Sequence, residues 1–533
     1  MQTPLEIFEE YRSAVDFKAS LGKRGMYEQN RINERFFIGD QWYGAKCGND
    51  RPLVRHNVIK RIGDYKMSQI LSSPLSVTFS AEGVPDLGER SIRRIFKDGG
   101  FSSENRTEEI NAVMEALSDY YGVTAERVNL TVLYEKALRN AYITGTGVIY
   151  TYWNGSIKTG LYADKAQKVP ITGDIACEVL NIENVFFGDP YISDVQSQPY
   201  IIISSCRETD EVIREARRAG ADGITLNAIN DASSDGKITV LTKLYKEYNA
   251  DGGYTIKSVK VVENAVVRPE FDTGLTLYPL AVFSWEKRGG LIYGESEITY
   301  LIPNQIAINR MITAKVWAAM TTGMPMMVIN GDTVPDGITN EPGQIIKVYG
   351  SNEDVAGAVK YIAPPDFAAN FDSSVEALIN NTLTQSGANE VALGDSRADN
   401  AAALSQMRNA AVMPLQIIKN RFYSFAEELS RIWADFWLAC YGQREIKLKY
   451  GGETRYIPFD AERYRGLIIN AEIKVGAGTV YSERECVNTL LTLYEKGIID
   501  RAQFLKRLPD GIVPDKNGLL ADDSKEENSD ERI

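Results

Sequence analysis

Apolar positions along the chain follow two periods. From Pro4 to Phe37 the apolar residues Ile7, Phe8, Tyr11, Val15 and Phe17 recur among charges at helical spacing, and the run leads into an aromatic stretch of Phe36, Phe37, Trp42 and Tyr43 that predicts a packed turn. Val58 to Leu71 reads as a further helix, Leu75 to Ser80 as a short strand, and helical spacing returns over Ser91–Phe96, Thr107–Tyr121 and Ala125–Ile143. Gly145-Thr146-Gly147 ends the last of these, and Val148 to Trp153 continues as a β-branched and aromatic strand. The runs Glu178–Leu180, Val185–Phe187, Tyr200–Ser204, Ile238–Tyr248, Tyr254–Val262 and Leu280–Trp285 predict strands, because clusters of Gly, Asp, Asn and Pro separate them. Residues 1–296 therefore form one α+β region.

The next block has a different pattern. Ile298 to Met320 predicts a helix with an apolar face of Leu301, Ile308, Ile312, Val316 and Ala319, and after Glu297 its sole charges are Arg310 and Lys315. Gly323 and Pro325 end it. Met326–Ile329, Gln344–Tyr349 and Val359–Ile362 then read as short strands joined by Asn-Gly and Pro-Asp-Gly turns. A second helix is expected from about Ala368 to Gln385, stopped by Gly387. Asn389 to Asn400 mixes small, polar and charged residues and predicts a mobile loop. Ala401 to Tyr441 would make a helix of roughly 60 Å at 1.5 Å per residue. Pro414 inside it predicts a kink, since its ring removes a backbone donor. Beyond it Leu415, Ile418, Phe422, Phe425, Leu429, Ile432 and Phe436 alternate three and four residues apart, the spacing of one buried seam.

Strands are expected at Ile446–Tyr450, Glu453–Pro458 and Ile468–Val475. Ser482 with Glu485 reads as a capping box for a helix ending near Gly497, and Asp500 as the cap of another that stops before Pro509. Residues 509–533 are rich in Asp, Glu, Lys, Ser and Asn, which predicts a disordered acidic tail.

Composition narrows the function. A chain of 533 residues with 44% hydrophobic and 25% charged residues predicts a multi-part globular protein. No run reaches the ~20 apolar residues of a membrane helix, and the acidic start at Glu6, Glu9 and Glu10 does not resemble a secretory signal, so the chain is expected to remain in the cytoplasm in which it is made. Five scattered cysteines and a single histidine, His56, argue against disulfides, zinc sites and most histidine-based catalysis. A net charge of -13 rules out a surface that grips DNA phosphates throughout.

Signatures of catalysis are lacking. A phosphate loop requires G-x-x-x-x-G-K-[ST], and the nearest match, Gly83 to Gly88, is followed by Glu89-Arg90. Ser20 and Lys23 form an isolated Ser-x-x-Lys pair, with Lys158-Thr159-Gly160 downstream but no Ser-Asp-Asn element. His56 could contact a phosphate alongside Arg51 and Arg55 or be a hydrogen-bonded structural residue, the role favoured here. No enzymatic activity, cofactor or metal is expected. The isolated charges Arg310, Lys315, Asp372 and Glu376 leave two readings open: Arg310 and Lys315 face a channel and touch phosphates, or they pair with Asp372 and Glu376 across subunits, the arrangement favoured slightly.

The order of elements resembles the portal proteins of tailed bacteriophages. The resemblance is carried by RINERFFIGDQWYG and RPLVRHNVIKRIGDYKMSQI near the N-terminus, AYITGTGVIYTYW and NVFFGDP further on, LIPNQIAINRMITAKVW, and the run from Gly394 through AAALSQMRNAA. It covers nearly the whole chain, through several segments in the right order and not through any one motif. It implies an α+β wing at 1–296, a first stem helix at 297–323, a clip at 324–366, a second stem helix at 367–386, a tunnel loop at 387–400, a long kinked helix at 401–441, wing strands at 442–480, crown helices at 481–508 and the tail at 509–533.

By the same resemblance the subunits would form a ring, usually of twelve, at one capsid vertex of the virion, assembled in the host bacterial cytoplasm. Double-stranded DNA would pass through it during packaging and ejection. The clip would dock the large terminase subunit and later the head-completion adaptor, and the major capsid or scaffolding protein would surround the ring. Tunnel-loop residues Asn389, Glu390, Asp395, Ser396, Arg397, Asp399 and Asn400 would project toward the DNA. The alternatives are another head-tail connector or minor capsid protein, and a packaging ATPase or nuclease, against which the missing phosphate loop speaks.

Overall fold

The computed structural model describes residues 2–45, 52–81, 106–162, 170–249, 252–322, 326–329, 332, 359–362, 370–388, 413–450, 453–464, 467–475 and 480–508. Two compact units are interleaved along the chain: the first comprises 1–34, 63–299 and 398–533, the second 35–62 and 300–397.

In chain order the elements of the N-terminal half are α1 (Pro4–Ser20), α2 (Met26–Ile38), α3 (Val58–Leu71), β1 (Leu75–Ala81), α4 (Arg106–Arg127), α5 (Leu130–Thr144), β2 (Thr146–Tyr162), β3 (Pro170–Leu180), β4 (Val185–Phe187), β5 (Tyr200–Glu208), α6 (Thr209–Arg218), α7 (Gly223–Asp231), β6 (Lys237–Tyr248), β7 (Tyr254–Val262), β8 (Ala265–Asp272) and β9 (Leu280–Ser284). The remainder are α8 (Glu297–Thr322), β10 (Met326–Ile329), β11 (Val359–Ile362), α9 (Asn370–Gln385), α10 (Gln416–Cys440), β12 (Gln443–Tyr450), β13 (Glu453–Asp460), α11 (Ala461–Tyr464), β14 (Ile469–Val475), α12 (Val480–Glu495) and α13 (Arg501–Arg507). The fold is mixed α+β.

In the first unit an antiparallel five-stranded sheet runs in the order β4-β5-β6-β7-β8. Strand alternation sends Ile202, Leu241, Val259 and Val261 to one face, where they bury Ile7 and Phe8 of α1. The other face carries Ile238, Val240, Val262 and Val267 against Val212 and Ala216 of α6 and Ile229 of α7. The sequence reading did not anticipate α6 and α7, although Asp222 accepts a bond from Thr225 N at 2.8 Å as an N-cap. It also left out β8, which contains Pro269; β8 is an edge strand, where a missing backbone donor leaves no ladder bond unmade.

A second sheet, β3-β2-β9, lies against α5 and α10. Gly145 caps α5 at φ +88, donating its N–H to Ala141 O at 2.8 Å. Gly147 then lets β2 pass under α5 so closely that a Cβ would lie 2.2 Å from Ala137 O. These contacts account for the glycines in the AYITGTGVIY segment.

The predicted seam of α10 is buried along its length: Leu415, Ile418, Phe422, Phe425, Leu429, Ile432 and Phe436 are all in the core. Its rings meet Tyr134 of α5 at 5.0 Å from Phe422, Phe283 of β9 at 5.8 Å from Phe425, and Phe79 of β1 at 5.7 Å from Trp437. Burying side chains of this size contributes about 1.5–3 kcal/mol each. Pro414 falls in a 3-10 turn, Met413–Leu415, that leads into α10, and residues 401–412 lie outside the described residues. The proline is the middle residue of that turn, immediately ahead of α10, and the expected kink falls where the preceding residues lie outside those described.

Further along, β1 pairs antiparallel with β14, Leu75 opposite Val475, which joins segments nearly 400 residues apart. Ser482 lies two residues inside α12 and so is not its N-cap, whereas Asp500 caps α13 through Gln503 N at 2.6 Å.

The second unit contains α8 from Tyr300 onward, α9, the β10–β11 pair and residues 35–62. Met326 pairs with Ile362 and Ile329 with Val359, so β10 and β11 form the only described strands between α8 and α9.

Candidate functional site

The charged residues singled out in the sequence converge on α8 and α9. The root of α8 belongs to the first unit. There the Ser296 hydroxyl donates to Tyr142 O at 2.6 Å and accepts from Ile298 N at 3.1 Å, which satisfies one of the free amides of the first turn. Glu297 accepts from Lys66 Nζ at 2.6 Å and from Trp285 Nε1 at 3.0 Å, with the two ionic side chains 14% and 7% exposed. A carboxylate in the first helical turn is also favoured by the helix dipole.

Within the second unit three polar residues four apart on α8 hold the backbone of 54–59. Gln305 accepts from Val58 N at 3.0 Å and Ile59 N at 3.3 Å, and donates to His56 O at 2.6 Å. Asn309 accepts from His56 N at 3.0 Å and donates to Gln41 at 2.6 Å. Thr313 accepts from Val54 N at 3.2 Å. Spacing of four puts the three on one stripe of the helix, and the stripe satisfies a segment with no strand partner among the described residues. His56 is therefore held through its main chain while its side chain is exposed.

Another stripe of α8 meets α9. Lys315 Nζ lies 2.8 Å from Asp372 Oδ1, and Asn304 Nδ2 donates to Thr382 Oγ1 at 3.3 Å. Position 315 opposite 372 and 304 opposite 382 make the two helices antiparallel. Val375, Leu383 and Ile308 are buried. The Lys315–Asp372 pair forms within one chain, whereas the sequence reading sought the partners of these charges in a channel or a neighbouring subunit. Arg310 and Glu376 are exposed and make no hydrogen bond or ion pair with any described residue. The tunnel-loop residues Asn389, Glu390, Asp395, Ser396, Arg397, Asp399 and Asn400 lie outside the described residues, as do Gly83–Gly88, most of 324–366 and the tail.

Several ionic groups that sequence reasoning missed are built into the first unit. Lys18 is fully buried and donates to the carbonyls of Ile182 at 2.6 Å, Glu183 at 3.2 Å and Val185 at 2.7 Å, with Phe186 beneath it at 3.7 Å. Burial pushes its pKa well below the usual 10.5, opposed by Glu183. Buried Asp174 accepts from Arg127, from Tyr441 OH at 2.6 Å and from Ile175 N at 2.8 Å, which ties α4, β3 and the end of α10 together. On α10, burial pushes the Glu428 carboxyl up to about 7; a bond from Gln196 Nε2 at 3.3 Å opposes this and nearby Asp194 adds to it. Ser20, the residue of the Ser-x-x-Lys pair, donates to Phe17 O at 2.8 Å at the end of α1, a structural role.

A cleft of about 1380 Å³ lies between β1, α4 and α5, lined by Phe79, Met114, Tyr121, Tyr134, Phe422 and Lys474 among others. Burial raises the hydroxyl pKa of Tyr121 and Tyr134. Among the described residues no group of three or more His, Cys, Asp or Glu side chains could hold a metal, and no helix is long and apolar enough to cross a membrane.

No protein-family model matches the chain, and no curated protein matches it. Among solved structures it is similar to a chain of the virion of a native gene transfer agent particle, at 11% identity and a TM-score of 0.36, over 96% of this chain and 98% of that one. It is also similar to a chain from the neck of an empty gene transfer agent particle, at 10% identity and a TM-score of 0.36, over 92% of this chain and 93% of that one.

Proposed function

We propose that this chain is a ring-forming channel subunit of the portal type, which conducts double-stranded DNA at a capsid vertex of a virion and catalyses no reaction. The observation that carries the reading is the order helix, β pair, antiparallel helix: α8, β10–β11 and α9 precede the 389–412 stretch and the heavily buried α10. This order agrees with the segments on which the resemblance to portal proteins rests.

The acid balance suits passage better than binding. With 72 Asp and Glu against 59 Lys and Arg, a channel wall would release few counterions from DNA and hold it weakly, leaving base sequence unread. On this reading the residues around β10–β11 dock the large terminase and then the head-completion adaptor, and Asn389–Asn400 meet the DNA.

Electron microscopy of the purified full-length protein tests the proposal. Rings with a central opening wide enough for duplex DNA are expected; monomers that hydrolyse ATP would sink it. Deleting Asn389–Asn400 should leave rings intact and impair DNA packaging or retention, and loss of the rings themselves would make that segment an assembly element.

A further inference from the structure

One stripe of α8 points away from both α9 and residues 54–59, and it has a spacing of its own. Pro303, Ala307, Arg310 and Ala314 recur at alternating intervals of four and three, the spacing of a helix–helix seam. Pro303, Arg310 and Ala314 are exposed, and Ala307 is half-buried. The alanines on either side of Arg310 leave room for another helix to approach closely.

The α8–α9 pair leaves one cation and one anion unmatched. Lys315 and Asp372 satisfy each other, whereas Arg310 and Glu376 have no partner among the described residues. At about 100° of rotation per residue, Arg310 lies roughly 130° from the line of α8 that faces α9, and Glu376 roughly 80° from the line of α9 that faces α8. Because the helices are antiparallel, these rotations carry the two charges to opposite flanks of the pair. A head-to-tail contact between identical copies sets one flank against the other, and such a contact builds a ring when the rotation closes.

We infer that Arg310 of one subunit pairs with Glu376 of the next, across a contact seamed by Ala307 and Ala314. The occupant of this face is thus a second copy of the chain. DNA phosphates would engage Arg310 alone and be repelled by Glu376, whereas a second copy uses both charges. The inference rests on the ring reading above and names what holds the ring at this level.

Mass photometry of the full chain over a range of protein and salt concentrations tests it, with wild type, Arg310→Glu, Glu376→Arg and the double exchange compared. Each single reversal sets like charges face to face and should raise the concentration for half-assembly by about tenfold or more, while the double exchange should return it to within about threefold of wild type. Wild-type assembly should also weaken as salt rises. If wild type assembles while the single variants match it, or the double fails to recover, the pairing is overturned and the ring reading stands. A wild type that stays monomeric throughout overturns both.

Discussion

Glu297→Gln offers the most exacting check on how α8 is anchored. The substitution keeps an oxygen for Trp285 Nε1 but removes the charge 2.6 Å from Lys66 Nζ, which is 7% exposed. Breaking one partner of a buried pair typically costs about 3–5 kcal/mol, because the remaining charge stays desolvated and unpaired. The retained Trp285 bond puts the expected loss near the lower end, about 3 kcal/mol. At 1.36 kcal/mol per decade, amides whose exchange requires α8 to open at its root should exchange about a hundredfold faster or more. Hydrogen–deuterium exchange over residues 280–300 reads this directly and avoids assuming that a two-unit chain unfolds in one step. The double variant Lys66→Met with Glu297→Gln removes both charges while keeping an oxygen for Trp285 Nε1, and should come within about 1 kcal/mol of wild type, since a buried pair and an uncharged replacement of similar volume are often equivalent. Unchanged exchange in Glu297→Gln, or a double variant no better than the single, would refute the idea that desolvation of Lys66 sets the cost.

Three further outcomes are expected. Lys18→Met leaves the carbonyls of Ile182, Glu183 and Val185 without their donor and should lower stability by about 2–3 kcal/mol. Since the folded pKa of Lys18 lies below 10.5, the unfolded chain binds the extra proton between the two values, so wild-type stability should rise with pH across that window and the slope should vanish in the variant. Glu428 has the opposite sign: its carboxyl is raised from 4.5 to about 7, the folded state holds the extra proton in between, and stability should fall as pH rises from about 4.5 to about 7. Denaturant titrations at pH 5 and pH 8 should show that fall in wild type and a flatter profile in Glu428→Gln. Gly147→Ala forces a Cβ to 2.2 Å from Ala137 O and should cost about 1–3 kcal/mol in thermal unfolding, more than Gly155→Ala, whose Cβ meets nothing within 4 Å.

Much of the architecture is written locally. The three-and-four spacing from Leu415 to Phe436 dictates a helix with one buried face, and the structure buries every one of those residues. Ile298–Met320 likewise becomes α8, and Gly145 ends α5 because it alone among its neighbours adopts a positive φ without strain. Periodicity and capping report on contacts made a few residues away, so much of them is legible locally, although α6, α7 and the true start of α12 were not.

What the tertiary structure decided is partnership. Pro269 is tolerated in β8 because the sheet order makes that strand an edge, and nothing in residues 75–81 names 469–475 as their mate. Lys18, Asp174 and the Lys66–Glu297 pair look like ordinary surface charges in the sequence, because their burial depends on segments more than 40 residues distant. The same holds for α8. Its composition announced a helix with two charges, yet which stripe grips 54–59 and which meets α9 follows from the position of each neighbour. An α-helix fixes the angle between its side chains; only packing fixes what each angle faces.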